Sequence, residues 1–235
     1  MIRHIEGPAG RLEALLDEPA WGCHIGPVRG GGALADLEAR LEEPPRVAVV
    51  LAHPHPQHGG SMHNKVVYHV AKGLCRTRAA VLRFNFRGVG ASRGAWDDGP
   101  GEMADFRAAI DFMAARYPGV EIWAAGFSFG SWVAMTVGAA DERVSALLGV
   151  APPAKRYDFS ALLDCPKPKF FVQGTLDDLC PLKDALELYA RLPEPKDFVE
   201  IDGADHLFDG RVAEVADAVE SLLGDFSAEG REQHA

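Results

Sequence analysis

Gly126-Phe127-Ser128-Phe129-Gly130 is the stretch on which the reading of this chain turns. It closes the apolar run Glu121 to Phe127 and leads into a helix-like run, Trp132 to Ala140, so the pattern G-x-S-x-G sits at a strand-turn-helix junction. A serine at such a turn is held in a strained backbone conformation that exposes its Oγ, and glycine is needed on either side because a Cβ would meet the neighbouring strand or helix. With 25 Gly in the chain, chance alone would produce the five-residue pattern about 0.09 times, so it is the flanking elements that make it specific. Ser131 falls in the first helical turn, where its hydroxyl is expected to bond backbone rather than substrate.

Working outward, short apolar runs alternate with longer segments of helical period. Strands are expected at Val47 to Ala52, Ala79 to Phe84, Glu121 to Phe127, Ala146 to Val150, Lys169 to Gln173 and Phe198 to Ile201. Ahead of them, Leu12, Ala14 and Leu16 alternate with polar neighbours as a half-exposed antiparallel edge strand does, which gives at least seven strands. Val66, Val67, Val70, Ala71 and Leu74 share one helical face, as do Met103, Phe106, Ala109, Ile110 and Met113. Leu182, Ala185, Leu186, Tyr189 and Leu192 follow the helix-starting Pro181, and the run Val212 to Leu223 repeats the spacing. This is the pattern of an α/β protein, a mostly parallel sheet with helices on both faces, in one domain over residues 1–224. Two segments stand apart. Residues 21–45, with Gly30-Gly31-Gly32 and Pro44-Pro45, read as a surface insertion, and residues 225–235, polar and without an apolar repeat, read as a flexible tail.

Composition bounds the rest. A chain of 235 residues with 47% hydrophobic content buries roughly 70 to 75% of its unfolded surface and can hold a full core. The net charge of −10 and the lack of a Lys/Arg run argue against a nucleic-acid or anionic-membrane surface. Neither a basic, apolar leader nor a stretch near the ~20 apolar residues of a bilayer span is present, so a cytoplasmic protein is expected. Cys23, Cys75, Cys165 and Cys180 are scattered without C-x-x-C spacing and read as reduced packing residues.

A serine hydroxyl is a poor nucleophile at neutral pH and needs a base, normally a histidine oriented by a carboxylate. Only His206 and His234 follow Ser128, and His234 lies in the expected tail. His206 directly follows the run Phe198 to Ile201, in a loop at a strand's carboxyl end, where open α/β sheets place functional groups. For the carboxylate, Gln173 to Pro181 also leaves a strand and enters a helix, offering Asp177 or Asp178, with Asp205 a more distant choice.

With Ala52-His53-Pro54-His55-Pro56, the segment Asn85 to Ser92, the serine turn and the Asp and His loops in view, the chain resembles the α/β-hydrolase superfamily over about residues 46–223. It is similar to the compact, lidless bacterial serine hydrolases, close in size to dienelactone-hydrolase-like proteins but with serine in place of cysteine. The resemblance implies the chain order Ser, Asp, His and, through the spacing G-x-x-D-x-x-x-P, Asp177 as the acid. It implies an oxyanion hole made by the backbone N–H of Phe129 and, if His53-Pro54-His55-Pro56 stands for the His-Gly-x-Pro turn of relatives, the N–H of His55, since Pro54 cannot donate. The expected function is hydrolysis of small, soluble esters or thioesters through an acyl-enzyme, as a serine esterase without metal or organic cofactor. Residues 151–168 are too few for a cap domain and are expected to form a rim.

Alternatives from other classes are a hydrolase-like scaffold that binds without turnover, a peptidase, and a metal-assisted hydrolase built on His53, His55, His58, His63 and His69. The last is disfavoured because residues 53–69 hold no Asp, Glu or Cys. His53 is expected to bond within its own turn, and Arg87 to tie loops together rather than to meet an anionic substrate. Sequence leaves open whether the chain forms a homodimer.

Overall fold

The structure, a computed structural model, describes residues 3–18 and 44–232. The surface insertion expected over residues 21–45 lies outside these residues, apart from Pro44 and Pro45, as do Cys23 and His234.

The chain runs β1 (His4–Gly7), β2 (Gly10–Asp17), β3 (Val47–Ala52), α1 (Lys65–Arg76), β4 (Ala79–Phe84), α2 (Pro100–Arg116), β5 (Ile122–Phe127), α3 (Phe129–Ala140), β6 (Val144–Val150), β7 (Lys169–Gly174), α4 (Leu182–Arg191), β8 (Lys196–Ile201) and α5 (Val212–Glu232). The strands form one sheet in the order β1-β2-β4-β3-β5-β6-β7-β8. From β4 to β8 the pairing is parallel; β2 joins β4 antiparallel, and β1 joins β2 antiparallel at the edge. The α/β-hydrolase architecture implied by the sequence is therefore present, with helices on both faces and no cap domain between β6 and β7.

Period-two alternation divides each central strand between two cores. Val47, Val49 and Leu51 of β3 meet α1 and α5 on one face, while Ala48, Val50 and Ala52 meet α2 and α3 on the other. That double burial explains why the central strands read as unbroken apolar runs. Helix α1 starts where the Asn64 side chain accepts the Val66 N–H at 2.9 Å, satisfying one of the donors a helix start leaves orphaned. Helix α2 starts at Pro100, where the buried Glu102 carboxylate accepts the N–H groups of Gly99 and Asp97.

Two local expectations are corrected. The final helix does not end at residue 224 but continues to Glu232, because Phe226 extends the stripe of Val215, Val219 and Leu222 and packs on Trp123 and Phe170. On α4 the buried face carries Ala185, Leu188 and Leu192, and Leu186 is turned to solvent.

Strand order reverses around β3: the connection leaving it passes through α1 to β4 on one side, while β5 lies on the other and leads to β6. Open α/β sheets have a crevice at such a switch point, outside the carboxyl ends of the strands. Ser128, immediately after β5, and the His53 to Asn64 segment after β3 both lie there.

Candidate active site

Ser128 follows β5 with φ 53° and ψ −123°, a conformation that non-glycine residues rarely adopt. The turn is tight on both sides. A Cβ on Gly126 would come within 2.1 Å of the Gly130 carbonyl oxygen, and one on Gly130 within 2.4 Å of the His53 oxygen, so both positions require glycine. Packing of β5 between β3 and β6 holds the turn in place, and the Ser128 N–H is fixed on Val150 O at 2.8 Å. Ser131 is buried and its hydroxyl donates to the Ser128 carbonyl at 2.6 Å, the backbone contact expected for it.

The structure brings Ser128, His206 and Asp177 together. His206 Nε2 is 3.0 Å from Ser128 Oγ, and Nδ1 is 2.8 Å from Asp177 Oδ2. A carboxylate only accepts, so Nδ1 carries the ring proton and Nε2 is left with its lone pair toward the serine hydroxyl. The other oxygen of Asp177 accepts the N–H groups of Leu179 at 2.9 Å and Cys180 at 2.7 Å. Asp177 is 3% exposed, whereas Asp178 faces solvent, and Asp205 bonds the N–H groups of Leu207 and Asp209 instead of the imidazole.

The loops carrying Asp177 and His206 are stitched to each other. Leu176 N–H donates to Ala204 O at 2.9 Å and Gly203 N–H to Thr175 Oγ1 at 2.8 Å, while Gly174 leaves room for the Ala204 carbonyl. Gln173, at the end of β7, was not read from the sequence as part of this arrangement. Its buried Nε2 donates to Asp177 Oδ2 at 3.0 Å and to Cys180 O at 2.8 Å, anchoring the carboxylate from beneath. The signal for it was a lone amide at the end of an apolar strand.

The candidate oxyanion donors lie on the two loops of the switch point. Phe129 opens α3, where the first N–H groups have no partner within the helix. His55 precedes a 3₁₀ turn, and its ring stands 5.2 Å from that of Phe129. His55 also packs on Trp96 and His58, and its charged form is disfavoured by burial and by His58 and Arg156, with Asp98 acting in the opposite sense.

The remaining histidines do not converge. His53 is fully buried; its Nδ1 contacts Pro54 O at 2.6 Å and its Nε2 accepts the Phe86 N–H at 3.1 Å, so both ring nitrogens are occupied. Burial lowers its pKa to about 4 against the opposing Pro54 contact, leaving a neutral ring that ties the β3 turn to the end of β4. Arg87 forks onto the buried carboxylate of Asp105 at 3.0 and 2.8 Å, the loop-tying role expected of it. Among the described residues, the one group of His, Cys, Asp and Glu side chains close enough to share a metal is Asp177, Cys180 and His206, with ligand atoms within 4.8 Å of one another. The acid and imidazole of that group are already bonded to each other. Burial and the adjacent Asp177 charge push the Cys180 thiol up to about 12, so it stands protonated beside Ser128.

Ser128 and His206 face a cleft of about 430 Å³, also lined by His55, Phe129, Tyr157 and Leu179. Pro153, Arg156 and Tyr157, from the segment between β6 and β7, form one wall, a rim rather than a cap.

Comparison with known proteins places the fold in a family. The sequence profile of the family described as "serine aminopeptidase, S33" matches residues 43–163. The uncharacterized protein RP471 of Rickettsia prowazekii is 36% identical over 201 residues, 82% of this chain and 84% of that one. An α/β serine hydrolase homologue from Coxiella burnetii superposes with a TM-score of 0.80 at 34% identity, covering 94% of this chain and 95% of its own. An α/β serine hydrolase without lid from Xanthomonas campestris gives 0.80 at 31% identity, covering 95% and 93%. With its sheet, its strained serine turn and these matches, the chain belongs to the α/β-hydrolase family described as serine aminopeptidase, S33, alongside lidless α/β serine hydrolases.

Proposed function

We propose that the chain hydrolyses small carboxylic esters or thioesters through an acyl-enzyme on Ser128, with His206 as general base and Asp177 as the acid that orients it. The observation that carries this reading is the continuous hydrogen-bonded run from the Ser128 hydroxyl through the imidazole to a carboxylate whose other lone pairs are already taken.

Ser128 Oγ attacks the acyl carbon as His206 Nε2 accepts its proton. The oxyanion faces the N–H groups of Phe129 and His55; the N–H groups of Ser128 and Ser131 are already bonded to Val150 O and Ser128 O. His206 returns the proton to the departing alcohol or thiol, then draws one from the water that frees the acid. The cleft volume lies at the lower end of the range for small-molecule sites, and among the described residues no cap closes over it, which favours short, soluble acyl groups.

The family's description names an aminopeptidase. A substrate ammonium is held best by carboxylates, and among the described residues no Asp or Glu lines this cleft. The test is a panel of p-nitrophenyl esters of rising chain length beside amino-acid p-nitroanilides. Acetate and butyrate esters are expected to turn over much faster than palmitate esters or anilides. Preference for the long chains or the anilides contradicts the proposal.

A further inference from the structure

Among the described residues, Arg156 is the one Arg, Lys, Asp or Glu side chain that lines the cleft. Arg156 lines it together with His55, His58 and His206, and no Asp or Glu appears in its lining among the described residues. The neighbouring Lys155 is engaged by Glu187 at 2.6 Å, but among the described residues no carboxylate stands within ion-pairing distance of the exposed Arg156 guanidinium.

The reach of that guanidinium shows in the groups it acts on. Burial disfavours the charged form of His55, and Arg156 adds to the effect. Burial and Asp98 push the Tyr157 phenol up while Arg156 pulls it down, and it opposes burial and Asp177 in the same way at Cys180, beside Ser128. The opposing charges nearby are Asp98, which acts on His55 and Tyr157, and Asp177 and Asp184, which act on Cys180.

The rest of the wall is mainly apolar, with Leu179 and Leu207 exposed at 55% and 41%. Low-dielectric walls focus the field of a lone cation, and in a chain of net charge −10 this is a local reversal of the prevailing sign. A guanidinium with no carboxylate partner among the described residues presents a planar fork that matches an incoming carboxylate.

We propose that Arg156 is a specificity residue that selects esters or thioesters carrying a carboxylate remote from the scissile bond, paired with the guanidinium while the reacting carbonyl meets Ser128. The proposal rests on the ester-hydrolase reading above.

Two substrate pairs place the carboxylate on either side of the scissile bond. One pair is p-nitrophenyl hemiglutarate against p-nitrophenyl butyrate, and the other is 4-carboxyphenyl butyrate against phenyl butyrate. The ratio of kcat/KM, carboxylate-bearing over neutral, is measured for wild type, Arg156→Ala, Arg156→Lys and Arg156→Glu, with thermal unfolding as a check that each variant is folded. In at least one pair the wild-type ratio is expected to exceed that of Arg156→Ala by about 10-fold, through KM, with Lys intermediate and Glu lowest. Raising the ionic strength should shrink the wild-type ratio. Equal ratios in wild type and Arg156→Ala for both pairs, with the neutral esters still cleaved, overturn the role of Arg156 alone. If wild type cleaves none of the four esters, the ester-hydrolase reading falls and this inference with it.

Discussion

The Nε2 of His206 lies 3.0 Å from the hydroxyl of Ser128, although 78 positions of sequence separate the two. Their strands are not neighbours either, since β6 and β7 stand between β5 and β8. The loop after β8 closes the distance by folding over the end of β7, where it shares hydrogen bonds with the loop that supplies Asp177. Asp177 and His206 therefore face the serine as one hydrogen-bonded unit.

That unit assigns different fates to two adjacent carboxylates. Asp177→Asn leaves the shape but removes the acceptor that fixes the His206 tautomer, and kcat is expected to fall about 10⁴-fold. Asp178→Asn, on the solvent side, should stay near wild type. Ester kinetics of the two variants decide the matter, and a larger loss from Asp178→Asn would reverse the assignment.

Gln173 is expected to act through Asp177. Gln173→Leu removes one donor from the carboxylate oxygen that also faces His206, at similar volume. The expected result is a roughly tenfold loss in kcat with KM little changed, about the value of one hydrogen bond to a charged group. A change confined to the unfolding midpoint, with kcat untouched, would make Gln173 a packing residue only.

The strain at Ser128 should be measurable as stability. Its positive φ costs a side chain of order 1 kcal/mol or more, whereas glycine adopts the conformation freely. Ser128→Gly is expected to unfold at higher denaturant than Ser128→Ala, by about 1 kcal/mol, with both inactive. Equal midpoints would show that the turn is not strained.

His53 makes stability depend on pH. Folding lowers its pKa from 6.5 to about 4, so between those values the unfolded chain binds a proton that the folded chain excludes. Its contribution is complete above about 6.5 and is lost as pH falls toward 4. Between pH 6.5 and 5, wild type should lose about 2 kcal/mol more than His53→Gln in urea unfolding. Parallel curves for the two proteins would contradict this account of the buried ring.

Much of this was legible in the residues because hard sterics left few choices. Gly126 and Gly130 announce the serine turn, since no other residue fits against the Gly130 and His53 carbonyls. His206 stood out because only one other histidine follows the serine. Choosing between Asp177 and Asp178 was another matter: which of two neighbours points inward depends on the turn formed when Asp177 bonds the N–H groups of Leu179 and Cys180. Arg156 lies in a Pro-rich connection with no periodicity to place its side chain. Strand β1 owes its form to pairing with β2, not to a pattern of its own. The end of α5 was concealed because one aromatic, Phe226, continues the stripe among polar neighbours.

The account stands or falls on whether the Ser128 hydroxyl is activated. Incubation with a fluorophosphonate, followed by intact-protein and peptide mass spectrometry, tests this directly. The account predicts one adduct per chain, on the peptide containing Ser128, absent from Ser128→Ala and much slower to form in a folded His206→Ala variant. An unlabelled wild type, or labelling that persists in Ser128→Ala, would contradict it.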